Sequence, residues 1–148
     1  MYIYIARVKA RRSLPDFFLI PDKPRHILYD VSVSATKENA VALSKGAIAA
    51  LESSGLARDI SLKAGLALEE MAANLCERDS GKESDIHIRI SQTGTGIVIA
   101  LRDNGAPFNP VEYTSEDKLT DGILVLKAMA KDIKYSRVLA LNQTLIEL

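Results

Sequence analysis

Two runs of alternating β-branched residues joined by a glycine turn set the tightest limit on what this chain can fold into. Ile86, Ile88 and Ile90 alternate with His87, Arg89 and Ser91, and Ile97, Ile99 and Leu101 repeat the pattern after Thr93-Gly-Thr-Gly96. A period of two marks a half-buried strand, and the glycine-bearing connection closes a hairpin. A sheet with one apolar face has to be covered, and helices on that side are the economical cover.

The flanking sequence supplies them. His26 to Ser34, with Ile27, Tyr29, Val31 and Val33, predicts a first strand. Thr36 can cap a helix running to about Ser54, whose apolar stripe is Ala40, Leu43, Ala47, Ile48 and Leu51, with Gly55 as its stop. Asp59 starts a second helix to about Arg78, and Asp79-Ser-Gly-Lys82 is a turn. Asn104 to Leu119 has no periodicity and reads as a long loop, with residues from about Asn109 to Leu119 expected to form a mobile lid. Asp121 to Lys131 is a third helix, and Ile133 to Leu139 with Thr144 to Leu148 form a closing hairpin. The order β-α-α-β-β-α-β-β predicts an α+β fold: a two-layer α/β sandwich, three main helices on one face of a mixed, mostly antiparallel sheet.

The length of 148 residues suits one domain over 26–148, preceded by an N-terminal extension or linker over 1–25. Nineteen basic residues balance nineteen acidic ones without a basic cluster, which argues against a nucleic-acid partner. The single cysteine, Cys76, excludes an internal disulfide, fits a reducing, cytoplasmic setting and reads as a small buried hydrophobe. No apolar run approaches the ~20 residues that span a bilayer. Two readings of Met1-Tyr-Ile-Tyr-Ile-Ala6 followed by Arg7-Val-Lys-Ala-Arg-Arg12 stay open: an edge strand with a basic tail, or the cytoplasmic end of a membrane helix. Pro15, Pro21 and Pro24 make the stretch that follows an irregular linker.

On a helical wheel of the second helix, Ile60, Ala64, Ala67, Met71 and Leu75 cover one side and Leu62, Leu66 and Ala73 another, which predicts a largely buried helix. Glu70 and Asn74 share the narrow polar stripe between them. Burying them is costly unless Mg²⁺ with phosphate oxygens pairs with them; the alternative is a solvent-facing Glu70 paired with Lys63 or Arg78. Asp103 continues the apolar row of its strand, so its carboxylate aims toward the helix-covered side, where it can accept from an exocyclic amine such as that of adenine. Gly105 removes the Cβ that would obstruct a base lying against the turn. Thr120-Asp-Gly-Ile-Leu124 opens the third helix, a natural seat for phosphate, with Asp121 as an N-cap.

From His26 to Leu148 these motifs resemble, in order and spacing, the histidine-kinase-like ATPase superfamily (the Bergerat fold), and within it the anti-sigma-factor serine/threonine kinase branch. The matching residues are Glu70 and Asn74 of Glu-x-x-x-Asn, and Asp103, Gly105, Pro107 and Phe108 of the Asp-x-Gly-x-Pro-Phe box. A glycine box at Gly122 follows, and Asp132, Ile133, Tyr135, Asn142 and Leu145 close the chain. The resemblance implies ATP and Mg²⁺ as cofactors. It implies Glu70 as general base, Asn74 as Mg²⁺ ligand, Asp103 on the adenine amine with Gly105 beneath the ring, Gly122 around the phosphates, and Thr144 touching the base. Two positions depart from the family pattern. Thr120 stands where a second glycine is usual, with the negative Asp121 beside it, and Arg78, often histidine in this branch, would be a phosphate ligand.

The function so implied is an ATP-binding regulatory switch, a serine/threonine kinase that phosphorylates a small antagonist-type protein and sequesters a further partner such as a sigma factor, with a homodimer as an assembly open to it. The alternative is a non-catalytic nucleotide-binding or partner-binding module with a degenerate ATP site, either on its own or as the cytoplasmic domain of a membrane protein. A sensor histidine kinase is excluded because His26 heads a strand and His87 lies within one, so neither resembles a phospho-acceptor on a dimerising helix.

Overall fold

The structure, a computed structural model, describes residues 26–78, 84–94, 96–116 and 121–148; the extension over 1–25, the turn at 79–82 and Thr120 lie outside the described residues. Five strands and three helices follow one another as β1 (His26–Ser34), α1 (Lys37–Ser53), α2 (Arg58–Arg78), β2 (Asp85–Thr93), β3 (Gly96–Asp103), α3 (Gly122–Met129), β4 (Asp132–Val138) and β5 (Leu141–Glu147). The sheet order is β1-β2-β3-β5-β4, and each neighbouring pair is antiparallel. With the three helices packed on it, this is the two-layer α+β sandwich that the element order predicts. Among the described residues no helix is long and apolar enough to cross a membrane.

The strand registers explain where a site can form. Across the helix-covered face, Tyr29, Ile90, Ile99, Ile146 and Ile133 make one row, and Val31, Ile88, Leu101, Thr144 and Tyr135 the next. The third row is Val33, Ile86, Asp103, Asn142 and Arg137. Polarity rises from row to row and from β1 toward β4. The apolar corner is sealed by the core of Leu43, Ala47, Leu51, Leu68, Met71 and Leu75 from the helices, so the polar corner is the place left for a ligand.

Local signals set the helices. Thr36 Oγ1 accepts from the amide of Asn39 at 3.1 Å, and Gly55 ends the α1 turn at φ +85°, a conformation that costs glycine nothing. α2 buries Ala64, Ala67, Leu68, Met71, Ala72 and Leu75, together with Ser61 and Gly65. A Cβ on Gly65 would come within 2.5 Å of Ile48 Cδ1, so the glycine is what lets α1 and α2 approach closely. The expectation of an apolar second side is corrected at Leu62, which is 45% exposed: α1 and the sheet cover only one side of α2. Cys76 is half-buried, and burial pushes its thiol pKa up.

The opposite face of the sheet departs from a simple solvent-facing surface. His87 and Arg102 are almost completely buried and lie opposite one another on β2 and β3. Arg102 Nη2 lies 3.3 Å from His87 Nδ1, and His87 Nε2 lies 2.7 Å from Asp30 Oδ1. Guanidinium only donates, so Nδ1 carries the lone pair and Nε2–H donates to Asp30. Arg89 Nε donates to Asp30 Oδ2 at 3.1 Å. The half-buried reading of β2 is therefore corrected: beside the buried isoleucine row, His87 and Ser91 of the other row are buried as well and Arg89 is half-buried.

The closing hairpin is also longer than the sequence suggests. Val138 pairs with Leu141 across a two-residue turn at Leu139 and Ala140, whose φ values are +53° and +62°. Asn142, expected in the turn, thus lies inside β5. Asp30 is the acceptor shared by two cationic or polar donors in a buried setting, so Asp30→Ala is expected to lower stability by about 3 kcal/mol, read as a shifted urea midpoint with unchanged m-value.

Candidate nucleotide site

α2 presents Glu70, Asn74 and Glu77 on one stripe, and the N-terminus of α3 faces them. Together with Tyr113, Asp121 and Gly122 they line a cavity of about 250 Å³. Gly122 leaves room for the Glu70 carboxylate: a Cβ there would fall on the carboxylate and push that flexible side chain aside. Burial first, then the charges of Glu69, Asp121 and Glu77, raise the pKa of Glu70. A carboxylate made more basic in this way, and held at the mouth of a helix N-terminus, suits proton acceptance better than an ordinary surface glutamate.

The amides of that N-terminus are already engaged. Asp121 Oδ1 accepts from the backbone N–H of Ile123 at 3.0 Å and of Leu124 at 3.2 Å. Its Oδ2 accepts from the Tyr113 hydroxyl at 2.7 Å, the main reason its pKa lies below the usual carboxylate value. The expected N-cap role of Asp121 is therefore observed, and it places a carboxylate where a phosphate would sit. The lid segment is tied down through its described part: Lys127 Nζ donates to the carbonyls of Val111 at 2.8 Å and Tyr113 at 3.0 Å, and residues 117–120 lie outside the described residues.

Arg78, on the last turn of α2, reaches across the site. Its Nε donates to Asn74 Oδ1 at 2.5 Å, its Nη1 donates to the Ala106 carbonyl at 2.6 Å, and its guanidinium lies 4.6 Å above the Phe108 ring. Phe108 in turn packs against Tyr113, with ring centroids 5.5 Å apart. Asn74, Glu70 and Glu77 offer hard oxygen donors of the kind Mg²⁺ takes, but Asn74 Oδ1 can hold a metal only once Arg78 has turned away. Among the described residues no cluster of three or more His, Cys, Asp or Glu is disposed as a preformed metal site.

Asp103 ends β3 on the helix-covered face and is 6% exposed. Its Oδ1 accepts from the Gly105 amide and from Asn142 Nδ2, each at 2.9 Å. Thr144, buried in the adjacent row, sits between Leu101 and Tyr135. Pro107 is exposed on the loop between Gly105 and Phe108. The structure thus brings Glu70, Asn74 and Gly122 into one cavity. Asp103 and Gly105 are not in its lining among the described residues, and Arg78 spans the distance by bonding Asn74 and the Ala106 carbonyl.

Sequence reasoning assigned no role to Tyr113, Arg137 or Asn142. A two-residue turn at 139–140 would have put Arg137 opposite Asn142 by counting alone, but Leu-Ala carries none of the Asn-Gly chemistry that marks such turns.

Because only the flexible end of Glu70 meets the added methyl, Gly122→Ala is expected to change the melting temperature little. It should drive Glu70 outward and return its pKa toward the ordinary value, as read by carboxyl carbon NMR titration; an unmoved Glu70 titration would contradict the packing described. No curated protein matches the chain. Residues 33–147, which contain every site residue named above, match the family described as the histidine kinase-like ATPase domain, and the chain belongs to that family.

Proposed function

We propose that this chain is an ATP-dependent regulatory switch, a serine/threonine protein kinase of the anti-sigma-factor type acting on a small antagonist-type protein. Family membership supports an ATP-binding, kinase-like domain. The observation that carries the kinase reading is Glu70: a carboxylate of raised pKa, packed on Gly122 at a helix N-terminus, one helical turn from Asn74. In this reading Asp103 accepts from the adenine amine and Gly105 lies beneath the ring. Arg78 and the α3 N-terminus meet the phosphates, and Asn74 would hold Mg²⁺, which when bound neutralises phosphate charge. The partner's hydroxyl oxygen takes the γ-phosphoryl group, ADP leaves, and Glu70 receives the hydroxyl proton. The partner, the sigma factor it would release and a cytoplasmic setting belong to this proposal.

A second reading, a non-catalytic module, has a specific observation in its favour. The amides of α3 are capped by Asp121 and the carboxamide oxygen of Asn74 is taken by Arg78. An internal carboxylate and an internal guanidinium occupy the places of phosphate and metal, and a nucleotide must displace both.

Calorimetry with Mg·ATP separates the readings. The kinase reading expects wild-type binding that Asp103→Ala abolishes. Glu70→Gln should keep ATP affinity within a few-fold but slow phosphoryl transfer to the partner by about 10²–10⁴-fold, the usual contribution of a general base. Binding without transfer to any small partner protein favours the module. Absence of binding in the wild type, restored by Asp121→Asn, would identify the internal carboxylate as the block.

A further inference from the structure

The best-connected polar side chain near the site is Asn142, which the functional reading leaves without a role. It is 2% exposed. Its Nδ2 donates to Asp103 Oδ1 at 2.9 Å, to the Ala106 carbonyl at 2.8 Å and to the Gly105 carbonyl at 3.4 Å. Its Oδ1 accepts from the Tyr135 hydroxyl at 2.5 Å, from Arg137 Nη1 at 2.9 Å and from the Phe108 amide at 3.4 Å. All partners of the nitrogen are acceptors and all partners of the oxygen are donors, so the amide has one orientation. Arg137 Nη1 also reaches the Gly105 carbonyl at 3.3 Å.

We propose that Asn142 is the positioning residue for base recognition: it fixes the Asp103 carboxylate and the backbone of residues 105–108 as one unit, and so sets the preference for adenine over guanine. This rests on the nucleotide reading above. Three features of the geometry carry it. Asp103 and Asn142 are direct cross-strand partners, as are Asn142 and Arg137, so sheet register holds the three in line. The donors on Oδ1 polarise the amide and strengthen what Nδ2 gives to Asp103. The same amide holds Gly105 and Ala106 by their carbonyls, so the carboxylate and the floor expected beneath a base cannot move independently. Adenine presents an amine to such a carboxylate and guanine presents a carbonyl oxygen, so selectivity depends on where the carboxylate stands.

Asn142→Asp preserves shape while turning the donor into a second carboxylate beside Asp103. ATP affinity at pH 8 should fall by about 10- to 100-fold, the weight of a hydrogen bond to a charged group, with the ATP:GTP ratio falling alongside. Lowering the pH toward about 5 should recover part of the ATP affinity, because two adjacent carboxylates then share a proton. Tyr135→Phe, which removes only the hydroxyl bond to Oδ1, should lower the ATP:GTP ratio by about 3- to 10-fold and serves as the deciding variant if Asn142→Asp does not fold. Calorimetry with ATP and GTP on each folded variant reads the result. An ATP:GTP ratio within about two-fold of wild type in the folded variants overturns the inference while leaving Asp103 as the base ligand. ATP binding that is no better than that of Asp103→Ala, both in the wild type and with Asp121→Asn in the background, overturns the nucleotide reading and this inference with it.

Discussion

A carboxylate as deeply set as that of Asp103 has to be met by donors or be absent, because burying it unmet costs several kcal/mol. That demand organises one corner of the molecule. The chain must turn tightly enough after β3 for the Gly105 amide to come back to Oδ1, and β5 must run beside β3 in the register that brings Asn142 alongside. The isoleucine rows farther down the sheet supply the rigid, apolar base from which that corner projects.

The same logic of internal satisfaction extends across the site. Arg78 bonds Asn74 and the Ala106 carbonyl, and Asp121 bonds the first amides of α3 and the Tyr113 hydroxyl, each within a compact set of hydrogen bonds. Such an arrangement favours a ligand-free state that is stable in its own right. Any ligand entering it gains only the difference between its own contacts and the ones it replaces. On the proposed reading, a switch built this way would respond to that difference.

Sequence made the sandwich legible because its signals are short-range: the Thr36 cap, the Gly55 stop, and the period-two rows of Ile86–Ile90 and Ile97–Leu101 all act within a few residues. Glu70 and Asn74 were visible for the same reason, being four apart on one helix. What was not legible depends on which strand lies beside which. His87 and Arg102 look like ordinary solvent-facing residues until β1 brings Asp30 within reach of the histidine. Leu62 looks like core until α1 is seen to cover only the other side of α2. The bond from Arg78 to Ala106 joins residues 28 apart, and nothing local announces it.

The hairpin tip carries a consequence of its own. Leu139 and Ala140 both sit at positive φ without being glycine, a conformation that costs non-glycine residues of order 1 kcal/mol or more each, and Leu139 is 78% exposed. The tip is therefore a tensioned clasp, closed by the strands it joins. Side chains alternate across a sheet, so gaining or losing one residue at this clasp, if β4 kept its place and β5 slid by one, would turn Asn142 and Thr144 to the wrong face together. Related chains that differ only in the length of this clasp could thus lose the pocket's polar corner while every residue lining it remained unchanged.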